Sequence, residues 1–115
     1  MSRSPHQNVG LEFPEDAGDR KKAPVCTGVL DYFPMAIYMI ANLSLQGNIQ
    51  HGLEGPLHWA RNKSSDHADC LVRHLMQRGT YDTDGISHTA KLAWRALAIL
   101  QEELEHEIGF DPEED

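Results

Sequence analysis

Residues 87–106 read SHTAKLAWRALAILQEELEH, and the spacing inside that stretch decides the fold class. Ala90, Ala93, Leu97, Leu100 and Leu104 recur at helical intervals, and Leu92, Ala96 and Ile99 widen the stripe, so the spacing predicts a long helix buried on more than one side. His88, Lys91 and Arg95 form the polar edge of its first turns. Free amides and the helix dipole at such an N-terminus favour an anion, and these three side chains would reinforce a phosphate there.

Upstream, TYDTDGIS (80–87) is a turn. Asp82, Asp84 and Gly85 match a fragment of a calcium loop, but the twelve-residue pattern and its final glutamate are missing. Before it, Ser64 or Ser65 is positioned to cap a helix that stops at Gly79. With Asp66 placed at zero and about 100° per residue, Ala68, Leu71, Val72 and Leu75 centre near 200°. Asp66, Asp69, Cys70, Arg73 and Gln77 gather opposite, with His67 and His74 together on the flank. Two carboxylates and two imidazoles on successive turns are a candidate site for a divalent cation, because carboxylate oxygen suits magnesium or manganese and imidazole suits softer metals. The competing reading is structural: Asp69 and Arg73 are spaced as a surface ion pair, and Asp66 favours the dipole at a helix start.

From Asn48 to Lys63, Gly52, Gly55 and Pro56 break the chain into a loop. Gln50, His51, His58, Trp59, Arg61 and Lys63 supply acceptors, donors, an aromatic plate and cations within a few residues. Such a set suits a nucleotide, with Trp59 stacked on a base and Arg61 or Lys63 paired with phosphate oxygens. An earlier helix begins at Asp31, carries Pro34 in its first turn, repeats Phe33, Ile37, Ile40, Ala41 and Ser44 at helical spacing, and ends at Gly47. Its apolar face is core or subunit interface. Five of the seven histidines and both tryptophans, Trp59 and Trp94, fall between Gly47 and Arg95, which places the functional site there.

The ends differ in composition. Residues 1–22 read as a mobile arm, residues 23–106 as one helical domain and residues 107–115 as an acidic tail. Residues 1–101 contain ten acidic and ten basic side chains, so the net charge of -8 comes wholly from the C-terminal stretch, whose glutamates beyond Gln101 read as the exposed, solvated end of the last helix. A neutral body lacks the basic field that duplex nucleic acid requires. No apolar run spans a membrane and the N-terminus has no secretory h-region, so the expected compartment is the cytoplasm. Cys26 and Cys70 lack the spacing of a disulfide framework or a structural zinc site. The expected fold is all-α, a small bundle of about three to four helices, completed by oligomerisation because so short a chain closes only a marginal core.

The segments PLHWARNKSSDHADCLVRHL (56–75), DTDG (82–85) and AWRALA (93–98), with GNIQH (47–51) before them, resemble the N-terminal domain family of dATP/dGTP diphosphohydrolases, small proteins of phages and prophages. The resemblance covers about residues 22–105 and implies an all-helical protein of the bacterial host cytoplasm. The implied chemistry is metal-assisted hydrolysis of purine deoxynucleoside triphosphates to monophosphate and pyrophosphate. Matching positions are Asn48, His51, His58, Trp59, Lys63, Asp66, His67, Asp69, Arg73, His74, His88, Trp94 and Arg95. On that pattern Asp66 and Asp69 hold magnesium or manganese, and Asp69 with His67 or His74 carries the chemistry and positions water. Lys63, Arg73 and Arg95 neutralise phosphate, joined by Lys91 from the residue reading. The E-E-x-x-E and E-x-x-D signature of MazG-like pyrophosphatases is missing. Two other functions fit the same residues: a nucleotide-sequestering phage protein that soaks up a nucleotide immune signal, which needs no carboxylates, and a helical oligomerisation module with a polar seam.

Overall fold

The computed structural model describes residues 13–52, 55–61 and 65–111. These residues form a helical body: a single turn α1 (Ala17–Arg20), a π-helical turn at Cys26–Leu30, then α2 (Pro34–Gln50), α3 (His67–Met76) and α4 (His88–Glu107). Among them there is no strand, only an isolated bridge between Tyr81 and Ser87, and no helix is long and apolar enough to cross a membrane. The all-α expectation is met. Of the N-terminal arm, residues 13–22 are exposed and include α1, where Asp16 accepts from the amide of Asp19 at 3.0 Å; residues 1–12 and 112–115 lie outside the described set.

Helix boundaries follow caps and glycines, with four differences from the sequence reading. Ser87 Oγ accepts the amide of Ala90 at 3.2 Å, so α4 starts where its pattern does. Helix α3 has Asp66 at its N-cap rather than a serine, and ends at Met76, ahead of Gly79 with φ 82°. Helix α2 starts at Pro34 and not at Asp31, which closes the π turn through its amide to Cys26 (2.9 Å). It also runs through Gly47 to Gln50. The left-handed stop is Gly52, φ 66°, because glycine tolerates a helical interior when the turn after it keeps its hydrogen bonds.

Packing inverts the usual arrangement. On α4 the buried or half-buried residues include His88, Lys91, Arg95, Ala98, Glu102 and Glu105. Their alternating spacing of three and four places them in one stripe. The leucine stripe lies on the opposite side, and Leu97, Leu100 and Leu104 stay 48%, 52% and 45% exposed. Helix α3 likewise turns His67 and His74 inward and leaves Val72, Leu75 and Met76 outward. Helix α2 carries no charged residue, and its Met35, Tyr38, Met39, Leu45 and Ile49 are exposed. The expected burial of α4 on its leucine side is therefore not achieved within one chain. Ala98 is the one buried apolar residue among those described.

Glu105 corrects the reading of the C-terminal glutamates as solvent-facing. It is 3% exposed, and its two oxygens take both terminal nitrogens of Arg61, the second contact at 3.0 Å, with Gln101 Nε2 donating to the same carboxylate at 3.0 Å. Arg61 lies over the ring of Trp59 at 3.9 Å, and Trp59 meets Trp94 edge-on at 5.7 Å. The ion pair thus fixes the loop, and through it Trp59, to α4.

Removing one partner of a buried pair strands the other charge. Glu105→Ala is expected to lower unfolding free energy by about 3 kcal/mol in urea denaturation. The double replacement Arg61→Met/Glu105→Leu should recover most of that loss. A Glu105→Ala protein as stable as the parent would show that the strut contributes nothing.

Candidate functional site

Two tryptophans and a set of polar side chains need partners wherever they are buried, and the helices supply them around one cleft. Trp94, on α4, donates its indole N–H to Ser44 Oγ on α2 at 2.9 Å. Asn48, on the last turn of α2, donates to the carbonyl of His58 at 2.8 Å and draws the loop over the helix end. Between α2, the loop, α3 and α4 lies a cleft of about 520 Å3.

Most of the site residues read from the sequence meet there. Asn48, His51, His58, Trp59, His67, Arg73, His74, Lys91, Trp94 and Arg95 all line the cleft. Lys63 lies outside the described residues. His88 is 4% exposed and sits behind His74 rather than on the lining. Asp66 and Asp69 are exposed and do not line the cleft. Arg73, expected to pair with Asp69, instead places Nη2 3.5 Å from His74 Nε2. At the start of α4 the amides of His88 and Ala90 are already bonded to Thr80 and Ser87.

Each cation of the cleft has a partner within the molecule. Arg95 Nη1 lies 2.8 Å from His67 Nδ1. Arginine only donates, so Nδ1 accepts and the imidazole proton sits on Nε2. That nitrogen stands 3.2 Å from Glu102 Oε1, within ion-pair distance but off hydrogen-bond alignment. His67 therefore links a guanidinium to a carboxylate. Lys91 Nζ lies between Asp82 Oδ2 at 2.8 Å and Asp84 Oδ2 at 2.7 Å. Burial pulls the lysine down, but the hydrogen bonds to Asp82 and Asp84 and the charges of those two carboxylates together outweigh it and its pKa is raised. The Lys91 hydrogen bond holds both carboxyls below the usual range, aided at Asp82 by the amide of Thr83 and at Asp84 by the amide of Ile86 and by Gln50.

His74 and His88 face one another with their Nδ1 atoms 2.9 Å apart. With the Arg73 guanidinium beside Nε2, His74 donates from Nδ1 and His88 accepts. Burial, then the charges of Arg73, His88 and Lys91, lower the His74 pKa. His74, Asp82 and His88 each offer a ligand atom, all within 4.8 Å of one another, and could hold a metal ion. The metal-capable group found among the described residues is thus not the Asp66 and Asp69 pair.

Sequence reasoning missed Glu102 and Glu105. Both stand in register with Lys91, Arg95 and Ala98 along α4, and that three-and-four spacing was the available signal. Asp84 stood out only as part of an incomplete calcium-loop fragment, and Ser44 carried no signal beyond helix membership. No family profile, curated protein or solved structure matches the chain.

A histidine whose pKa is lower when folded binds its proton more readily when unfolded. Its contribution is complete above its ordinary value of 6.5 and is lost as the pH falls below that value. Thermal melts between about pH 5 and 8 should show melting temperature falling below 6.5, with His74→Gln flattening that arm. A second loss, from Asp82 and Asp84, begins as the pH falls through their ordinary value of 3.8. An unchanged slope in His74→Gln would remove His74 as its source.

Proposed function

We propose that the cleft binds a purine nucleotide and holds it without cleaving it. One observation carries this reading: Arg73, Lys91 and Arg95 line a cleft beside Trp59 and Trp94, whereas among the described residues its lining includes one carboxylate, Asp84, already held by Lys91 and Gln50. Guanidinium and ammonium groups suit phosphate oxygens, the tryptophans present aromatic surface to a base, and the volume falls within the range of small-molecule sites. A sequestering protein needs these groups and no others. The resemblance to the diphosphohydrolase N-terminal family supports the nucleotide, and a phage protein that soaks up a nucleotide signal in the bacterial cytoplasm is the role this reading favours.

A second reading, hydrolysis to monophosphate and pyrophosphate, is favoured by His74, Asp82 and His88, since His74 also lines the cleft. A metal held there would supply Lewis acidity, and a set of two imidazoles and one carboxylate suits manganese better than magnesium. Asp69, exposed and away from the lining, has no part in this version.

The protein also works as a homo-oligomer on this proposal. Helices α2, α3 and α4 leave apolar faces exposed, whereas a helix apolar all round normally lies buried. An obligate cover for so small a body must be present whenever the chain folds, and a second copy meets that condition.

Purified protein incubated with purine nucleotides, with and without manganese, then denatured and chromatographed, separates the two readings. Intact nucleotide retained before denaturation and recovered after it is the expected result, and release of monophosphate and pyrophosphate only with metal would replace it with the hydrolase. Arg95→Ala should weaken binding by at least about tenfold by calorimetry. Light scattering on the eluting protein should give a multiple of the chain mass, and Leu97→Glu/Leu104→Glu should reduce it. A monomeric parent would end the oligomer proposal.

A further inference from the structure

The two most buried imidazoles among the described residues point at each other. His74 is 2% exposed and His88 4%, they come from different helices, and their Nδ1 atoms are 2.9 Å apart. A third donor, the carboxylate of Asp82, comes from the turn that joins those helices, and the three ligand atoms fall within 4.8 Å of one another. Burying two imidazoles is costly when apolar side chains would fill the same space. Here the leucines that could have done so face outward.

We propose that His74, Asp82 and His88 form a site for a divalent first-row transition metal, and that the metal competes with the Lys91 ammonium for Asp82. The inference stands whether or not a nucleotide is bound or cleaved in the cleft. With metal–nitrogen distances of about 2.0–2.1 Å, the separation of 2.9 Å subtends an angle of about 90° at the metal. Two imidazoles at that angle and one carboxylate supply three ligands of an octahedral set and leave the other positions to solvent. Each imidazole binds through its Nδ1 lone pair with its proton on Nε2, so His74 shifts its proton from Nδ1 to Nε2 and no proton leaves the pair. That shift turns a donor toward Arg73 Nη2, 3.5 Å away, and the guanidinium must swing from the ring into the cleft it lines.

Asp82 is already oriented for the role. Its Oδ1 accepts the Thr83 amide at 2.7 Å, which fixes the carboxylate plane as outer-shell bonds do at metal sites. Its Oδ2 is held by Lys91 at 2.8 Å, while Asp84 Oδ2 holds the same ammonium at 2.7 Å. A metal that takes Asp82 leaves Lys91 with Asp84, on the cleft lining. The competition sets a sign that a purely structural cluster does not share: removing the lysine must tighten metal binding.

The test is calorimetric titration of the chelator-treated full chain with Co2+, without nucleotide. One Co2+ per chain is expected, with affinity lowered at least about tenfold in His88→Gln and raised several-fold in Lys91→Met. Binding equally strong in His88→Gln, or not raised in a Lys91→Met protein of unchanged circular dichroism, would overturn the site. Should either variant fail to fold, the unaltered chain still decides. Substoichiometric Co2+ must broaden the ring resonances of His74 and His88 before those of exposed His51 and His58, and broadening of the exposed rings alone would refute the proposal.

Discussion

Burying a polar stripe governs this structure. His88, Lys91, Arg95, Ala98, Glu102 and Glu105 follow one another along α4 at intervals of three and four and turn inward. Every polar group taken from water in this way requires a partner, since an unsatisfied donor or charge costs more than a typical contact returns. The partners come from everywhere else: Arg61 from the loop for Glu105, His67 from α3 for Arg95 and Glu102, His74 for His88, and the Asp82–Asp84 turn for Lys91. Once α4 buries this side, the loop, α3 and the turn have little freedom in where they dock.

Two consequences follow from the same choice. The leucine side of α4 is directed outward, with the apolar surfaces of α2 and α3, so hydrophobic burial, the dominant favourable term in folding, is incomplete in one chain. The polar interior meanwhile reaches the cleft, where Arg73 and Arg95 meet the buried imidazoles of His74 and His67, and Lys91 is held between the part-exposed carboxylates of Asp82 and Asp84. A cation positioned in advance loses less entropy on meeting an anion. The groups that hold the fold together and the groups that line the cleft are therefore largely the same residues.

Much of the helical layout was legible in the chain. The span of α4 and its cap at Ser87 were read correctly, though not the side it buries, and ten of the residues singled out for binding or chemistry line one cleft. Gly47 was misleading because a glycine signals a helix stop only when the backbone after it turns left-handed, and that happens at Gly52. Asp66 and Asp69 looked like a cation site because they share a helical face with each other. Their face points to solvent, while Asp82, far weaker in the sequence, lies within reach of two imidazoles. Glu105 read as part of an acidic, solvated end until Arg61, 44 positions earlier, was found against it.

The sequence by itself determined the helical class, the approximate helix spans and the concentration of histidine, tryptophan and basic side chains in the middle of the chain. These depend on periodicity, caps and composition, which act over a few residues. Only the tertiary structure decided which face of each helix turns inward, which carboxylates meet which cations, and that His74 and His88 share a buried contact. Those outcomes rest on pairing between groups 7 to 44 positions apart. A helical repeat states that two faces exist, but the one that is buried is the one whose polar groups find partners.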